Sequence, residues 1–106
     1  MNLFLDKLTP SLNETQRMHW TDRRKEIVTW RWLLRASNVS GGPFKKLVVT
    51  RVGSRLLDAD NLAGGAKNLV DAIRKEGLIE DDRPGKVALS FDQRIGSPEG
   101  MEIELE

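Results

Sequence analysis

The sequence contains no cysteine, one histidine and no long hydrophobic segment. Without cysteine the chain has no disulfide, no thiolate metal site and no cysteine nucleophile, and this composition fits a reducing compartment. A membrane-spanning helix needs about 20 apolar residues, which no part of the sequence approaches. The first residues reach Asp6 too early for the apolar core of a signal peptide. We therefore expect a soluble, cytoplasmic protein.

The length of 106 residues indicates one domain, because a chain this short cannot form two separate cores. The net charge of +1 hides an uneven distribution along the chain. Residues 1–53 carry ten basic and four acidic side chains, whereas residues 54–106 carry seven and twelve. A basic half suits a polyanion and an acidic half suits a divalent cation, although charged stretches are also typical of solvated faces.

The N-terminal half predicts a strand, a loop, a helix and a second strand. A short strand over residues 3–5 leads into a polar loop that continues to about residue 19. Apolar residues at helical spacing predict a first helix over residues 22–36, with Thr21 as its N-cap. A β-branched segment then predicts a strand over residues 44–52.

The second helix has the clearest pattern. It is predicted from Asp60 or Asn61, as N-cap, to Gly77, whose position is typical of a Schellman ending. Its apolar residues share one helical face: Leu62, Ala66, Leu69, Val70 and Ile73. Gly64 and Gly65 each cost about 1 kcal/mol relative to alanine in a helix. Their presence predicts either close packing or the close approach of a ligand.

Residues 87–91 and 101–105 alternate apolar and polar side chains, and a turn with Gly96 and Pro98 separates them. This pattern predicts a β-hairpin with one solvent-exposed face. The order of elements predicts a single α+β domain over residues 1–106, with a mixed sheet of about four strands and two helices.

Two pairs of aspartates flank the second helix. Asp58 and Asp60 lie two residues apart, so on an extended segment their side chains emerge on one face, about 7 Å apart. Asp81 and Asp82 follow the helix in a loop. Mg²⁺ takes carboxylates and water as ligands, lowers the pKa of a bound water and neutralises phosphate charge. Lys67, on the helix, offers a positive charge to a phosphate in the transition state.

The same residues also fit ordinary structural roles. Aspartates at these positions are typical of turns, helix caps and solvated loops, and a lysine is typical of a helix surface. Judged by spacing alone, the structural interpretation is favoured.

A longer pattern resembles a known family. Its parts are the run Asp58, Ala59, Asp60, Asn61, Leu62, then Lys67, the pair Asp71 and Ala72, Gly77, and the pair Asp81 and Asp82. In this combination the sequence resembles the RusA family of crossover (Holliday) junction endodeoxyribonucleases. The resemblance is strong over residues 55–87. It is weaker over residues 10–52, where Pro10, Ser11, Asn13, His19 and Trp20 match, and beyond residue 87 it consists of the strand pattern.

The resemblance implies a Mg²⁺-dependent endonuclease that resolves four-way DNA junctions by paired symmetric nicks, as a homodimer, in recombination and repair. Asp58, Asp60 and Asp82 are then the catalytic, metal-binding carboxylates, Asp81 is an auxiliary metal-binding acid and Lys67 is the catalytic lysine. Lys67 lies three residues further from Asp60 than in the best-known pattern of the family, about 4.5 Å along a helix. Two alternatives stay open: a DNA-binding dimer that retains the fold without cleaving, and a nuclease for other branched DNA.

The substrate also bears on the assembly and on the basic residues. A four-way junction has approximate two-fold symmetry, which favours a two-fold symmetric dimer with two sites. Candidates for phosphate contacts are Arg17, Arg23, Arg24, Lys25, Arg31, Lys45, Lys46 and Arg51, although several of them also fit a solubilising role. Trp20, Trp30 and Trp32 are predicted in the core or the dimer interface rather than as base-stacking groups.

Overall fold

The structure, a computed structural model, describes residues 1–106 and contains one four-stranded sheet. Its strands are β1 (Asn2–Leu5), β2 (Lys46–Gly53), β3 (Ala88–Ile95) and β4 (Gly100–Leu105). Between β1 and β2 lie the helices α1 (Leu12–Arg17) and α2 (Trp20–Ala36). Between β2 and β3 lie α3 (Ala59–Gly65) and α4 (Lys67–Lys75), which Ala66 alone separates. The predicted α+β domain with a mixed four-stranded sheet is confirmed.

The order of the strands in space is β1-β4-β2-β3. β4 runs antiparallel to both β1 and β2, whereas β3 pairs in parallel with β2. The prediction of a hairpin between the last two strands is therefore wrong, because β2 lies between them. Alternation of apolar and polar residues indicates which face of a strand is buried, but it does not identify the neighbouring strand.

The core lies between the sheet and helices α2 and α4. α2 contributes Trp30 and Leu34, and α4 contributes Leu69, Val70 and Ile73, all buried. The sheet contributes Leu5, Leu47, Val49, Met101, Ile103 and Leu105. The apolar face predicted for the second helix is thus confirmed. None of the helices has the length and apolar composition that crossing a bilayer requires.

The segment before α2 is more regular than predicted. Ser11 caps α1: its Oγ accepts a hydrogen bond from the backbone N of Glu14 at 3.2 Å, and Glu14 Oε1 accepts one from Ser11 N at 3.4 Å. The predicted polar loop therefore contains one short helix. α2 begins at Trp20, earlier than predicted, because His19 Nδ1 rather than Thr21 caps it by accepting from Thr21 N.

The predicted second helix is divided at Ala66 into α3 and α4. Asp58 is the N-cap of α3, ahead of the predicted Asp60 or Asn61. α4 ends in the predicted Schellman arrangement, in which Leu78 N donates to Ile73 O and Gly77, with φ of 76°, donates to Arg74 O.

Close packing explains the two glycines of α3. A Cβ on Gly64 would lie 2.5 Å from Leu12 Cδ1, and a Cβ on Gly65 would overlap the carbonyl oxygen of Pro10. The loop before α1 therefore packs directly on α3. Of the two predicted explanations, close packing holds, and it accounts for both glycines.

Candidate active site

Asp58 is held firmly at the start of α3. Its Oδ1 accepts a hydrogen bond from Asn61 N and its Oδ2 accepts one from Asn61 Nδ2, both at 2.9 Å. These bonds, the backbone one first, hold the pKa of the exposed Asp58 carboxyl below its ordinary value. Asn61 Oδ1 accepts from the backbone N of Asn13 at 3.4 Å, so Asn61 links Asp58 to α1. Both oxygens of Asp58 are thus used within the fold.

A side chain of β3 holds the segment that leads to Asp58. Gln93 Oε1 accepts from Leu57 N at 2.9 Å, and Gln93 Nε2 donates to Leu57 O at 2.6 Å. The amide of Gln93 therefore pairs with backbone as a neighbouring strand would. Sequence reasoning missed this role, because no local signal marks a glutamine whose partner lies 36 residues earlier.

Lys67 and Asp82 lie together in one cleft. The other lining residues are Ala63, Gly64, Val70, Leu89 and Phe91. Lys67 is the first residue of α4, and Asp82 belongs to the loop between α4 and β3. Both residues are exposed, and neither forms an ion pair. The cleft therefore presents one accessible positive charge and one accessible carboxylate.

Asp81, beside it in the chain, is engaged with Arg83. Arg83 Nε donates to Asp81 Oδ2 at 2.7 Å, and Arg83 N donates to Asp81 Oδ1 at 3.3 Å. Partial desolvation raises the pKa of Asp81, but the hydrogen bonds from Arg83 and its positive charge act in the opposite direction and prevail. The pKa of Asp81 consequently lies below its ordinary value.

The four aspartates of the predicted site are not gathered within one chain. No group of three or more His, Asp or Glu side chains lies close enough together to hold a metal ion. Carboxylate oxygens are the donor type that Mg²⁺ prefers, and this ion is usually bound by one or two carboxylates, water and substrate phosphates. Asp58 and Asp81 each accept two hydrogen bonds from protein donors, one to each oxygen. The residues of one chain therefore do not fit a magnesium site of three or more carboxylates.

The structure brings only part of the predicted site together. Asp82 shares its cleft with Lys67, whereas Asp58 and Asp60 do not line that cleft. Asp60 lies in the first turn of α3 and is exposed. The accessible carboxylates are thus those of Asp60 and Asp82.

Several of the basic residues predicted to contact DNA carry free charges. Those at the end of α1 and the start of α2 are exposed and make no ion pair: Arg17, Arg23, Arg24 and Lys25. Lys45 and Lys46 are exposed too, but their Nζ atoms lie 3.9 Å from Glu80 Oε2 and 3.6 Å from Glu106 Oε2. Four unpaired basic side chains therefore lie around the junction of α1 and α2.

Other arginines hold the fold together. Arg51 is half-buried, and its Nε donates to the carbonyl oxygen of Thr9 at 3.2 Å. Arg31 and Arg35 of α2 both bind Glu76 at the end of α4, with Arg31 Nη2 at 3.0 Å from Glu76 Oε2. The hydrogen bond from Arg35 holds the pKa of Glu76 below its ordinary value and raises the pKa of Arg35. These three guanidinium groups already have partners within the chain.

The three tryptophans occupy different environments. Trp30 is completely buried, and its Nε1 donates to the buried Glu26 Oε1 at 3.1 Å. Trp20 and Trp32 are 61% and 67% exposed. The prediction of a core position is confirmed for Trp30, whereas Trp20 and Trp32 lie outside the core of the chain.

Comparisons with known proteins identify no relative. The chain matches no protein-family model, no curated protein and no solved structure.

Proposed function

We propose that this chain is a cytoplasmic endonuclease of the RusA type, which acts as a homodimer on four-way DNA junctions in recombination and repair. The observation that supports the proposal most directly is the cleft shared by Lys67 and Asp82. α3, whose N-cap is Asp58 and whose first turn contains Asp60, contributes Ala63 and Gly64 to the same cleft. Of the motif residues, Lys67 and Asp82 line this concave surface, and Asp58 and Asp60 belong to the start of the helix that forms one of its walls.

The two side chains of the cleft suit different parts of phosphodiester hydrolysis. The Lys67 ammonium carries three hydrogen-bond donors and would contact the phosphate oxygens on which negative charge develops. The Asp82 carboxylate would accept the proton of the attacking water. Mg²⁺ belongs to the proposal as the cofactor that the resemblance implies, and Asp82 is the one accessible carboxylate that lines the cleft.

The free charges of α1 and α2 suit the backbone of the substrate. Arg17, Arg23, Arg24 and Lys25 would contact phosphates outside the cleft, which adds affinity without reading sequence. One chain has one such cleft, so a two-fold dimer would supply the second and match the symmetry of the junction.

A DNA-binding dimer without nuclease activity is the second candidate. One observation favours it: no three carboxylates lie close enough together to hold a metal ion. A third candidate is a nuclease for other branched DNA, such as flaps.

One experiment separates the three candidates. The full chain is incubated with a synthetic four-way junction, a flap and a linear duplex, each with Mg²⁺ or with EDTA. Symmetric, Mg²⁺-dependent nicks in the junction support the proposal. Binding without cleavage supports the second candidate, and preferred cleavage of the flap supports the third.

Variants test the assigned residues. We expect Asp82→Asn and Lys67→Ala to slow junction cleavage by about 100-fold or more, the range for loss of a positioned proton acceptor or charge-stabilising donor. Glu99→Gln and Lys75→Ala are matched controls, because both residues are exposed and lie outside the cleft. Equal rates in Asp82→Asn and Glu99→Gln would remove the cleft from the mechanism.

A further inference from the structure

Helix α2 presents an aromatic and basic stripe to solvent. The tryptophan stripe consists of Trp20, Arg24, Val28 and Trp32. Each four-residue step advances about 40° around a helix of 3.6 residues per turn. These residues therefore form a line that winds about 120° from Trp20 to Trp32 over the solvent-facing part of α2. The opposite side, through Glu26, Trp30 and Leu34, is buried. Trp20, Val28 and Trp32 are 61%, 50% and 67% exposed.

Two exposed tryptophans on one helix represent a large uncovered apolar area. A tryptophan side chain buries about 150–250 Å² when it is covered, which is why such rings are rarely left in water without a partner. The larger part of Trp20 and of Trp32 stays uncovered by the rest of the chain. An exposed apolar patch with a polar rim is typical of a binding surface.

The charge around the stripe indicates the kind of partner. Arg23, Arg24 and Lys25 make no ion pair, and the Arg24 guanidinium lies 5.6 Å from the centroid of the Trp20 ring. Asp22 is the only exposed acid of α2, since Glu26 is buried against Trp30. A second copy of this face would bring like charges together, whereas a nucleic acid would bring phosphates.

We propose that the tryptophan stripe binds unpaired nucleotides, with the rings of Trp20 and Trp32 stacking on bases and the neighbouring basic side chains contacting phosphates. Aromatic rings stack on any base, because every base has a π face. Trp20 and Trp32 are about 18 Å apart along the helix axis, or about five nucleotide steps of 3.4 Å. The inference rests on the proposed function only in naming branched DNA as the source of the unpaired bases.

The test compares single-stranded with duplex DNA. The full chain, in EDTA and without Mg²⁺, is titrated into a fluorescent 12-nucleotide single strand and into a duplex of the same length. We expect Trp20→Ala and Trp32→Ala each to weaken single-strand binding by about 5-fold or more, with less than 2-fold change for the duplex. Phe4→Ala, another exposed aromatic residue, is the matched control and should change neither affinity.

The basic residues give a different signature from the rings. Arg23→Ala and Lys25→Ala should weaken the single strand and the duplex alike, and each should lower the slope of log affinity against log salt by about 1. Acrylamide quenching gives an independent measurement: Trp30 is buried, so bound single strand should protect two of the three indoles.

Three results would overturn the inference. Loss of single-strand and duplex affinity to the same extent in the tryptophan variants would exclude stacking, and so would no loss at all. Dissociation of a dimer in Trp20→Ala or Trp32→Ala, seen by sedimentation, would assign the stripe to a subunit interface. If the chain does not cleave the junction but the tryptophan variants selectively lose single-strand affinity, the proposed nuclease alone is refuted. If the chain cleaves the junction but the tryptophan variants keep their single-strand affinity, the stripe alone is refuted. Melting curves confirm that each variant is folded.

Discussion

Replacing Gly65 by alanine tests the contact between α3 and the loop before α1. On helix propensity alone, Gly65→Ala should stabilise the protein by about 1 kcal/mol. The added Cβ, however, would overlap the carbonyl oxygen of Pro10, which is backbone and cannot rotate away. Overpacking costs about 1–3 kcal/mol, and a backbone obstacle favours the upper value. We therefore expect a net destabilisation of about 2 kcal/mol.

A loss of this size lowers the melting temperature by about 8–16 °C for a domain of about this length. Circular dichroism melting and urea unfolding at constant m-value measure it. Ala63→Gly, in the same helix, measures the propensity contribution alone and should lose about 1 kcal/mol. Gly64→Ala should lose less than Gly65→Ala, because the obstacle there is the side chain of Leu12. A melting temperature raised by Gly65→Ala would refute the close packing of Pro10 on α3.

Two further changes probe hydrogen-bonded carboxylates. Glu76→Gln removes the anion that Arg31 and Arg35 share, and should destabilise by about 1–2 kcal/mol at pH 7. Because folding lowers the pKa of Glu76, its contribution is complete above the unfolded value of about 4.3 and is lost as the pH falls through the lower folded value. The difference between wild type and Glu76→Gln should consequently vanish in acid, and a difference independent of pH would contradict the ion pair. Asn61→Ala removes the side-chain donor to Asp58 and the acceptor for Asn13, and should cost about 1 kcal/mol. NMR titration should then show the pKa of Asp58 moving up toward its ordinary value, while the remaining bond from the backbone of residue 61 keeps it lowered; no movement would show that the side-chain bond is not formed.

The spacing of apolar residues predicted which face of an element is buried better than it predicted the neighbours of that element in the fold. The apolar face of α4 and the Schellman ending at Gly77 followed from local spacing, because both depend on residues within two turns of helix. The neighbours of β4 did not, since its pairing with β2 and β1 depends on residues far away in the chain. α1 was missed although Ser11 and Glu14 form a readable capping box, because no apolar stripe follows them.

The candidate site was predictable in its residue types but not in its hydrogen bonds. The motif correctly put acids at the start of a helix, whereas Lys67, predicted inside one continuous helix, is the first residue of α4. It did not reveal that Asn61 and Arg83 occupy the oxygens of Asp58 and Asp81, because such pairing is decided by side-chain geometry in the folded chain. Nor did it reveal the amide of Gln93 beside Leu57.

The position of β4 in the sheet has a consequence for synthesis on the ribosome. β1 pairs only with β4, and its Asn2 lies opposite Glu104, so the two ends of this contact are separated by nearly the whole described chain. A nascent chain that has not yet emerged beyond residue 105 therefore has an unpaired first strand and a core open to chaperones. Contacts of such high order slow folding, because a long loop must close before they form. We expect stalled or truncated products of this chain to be recognised as unfolded and degraded.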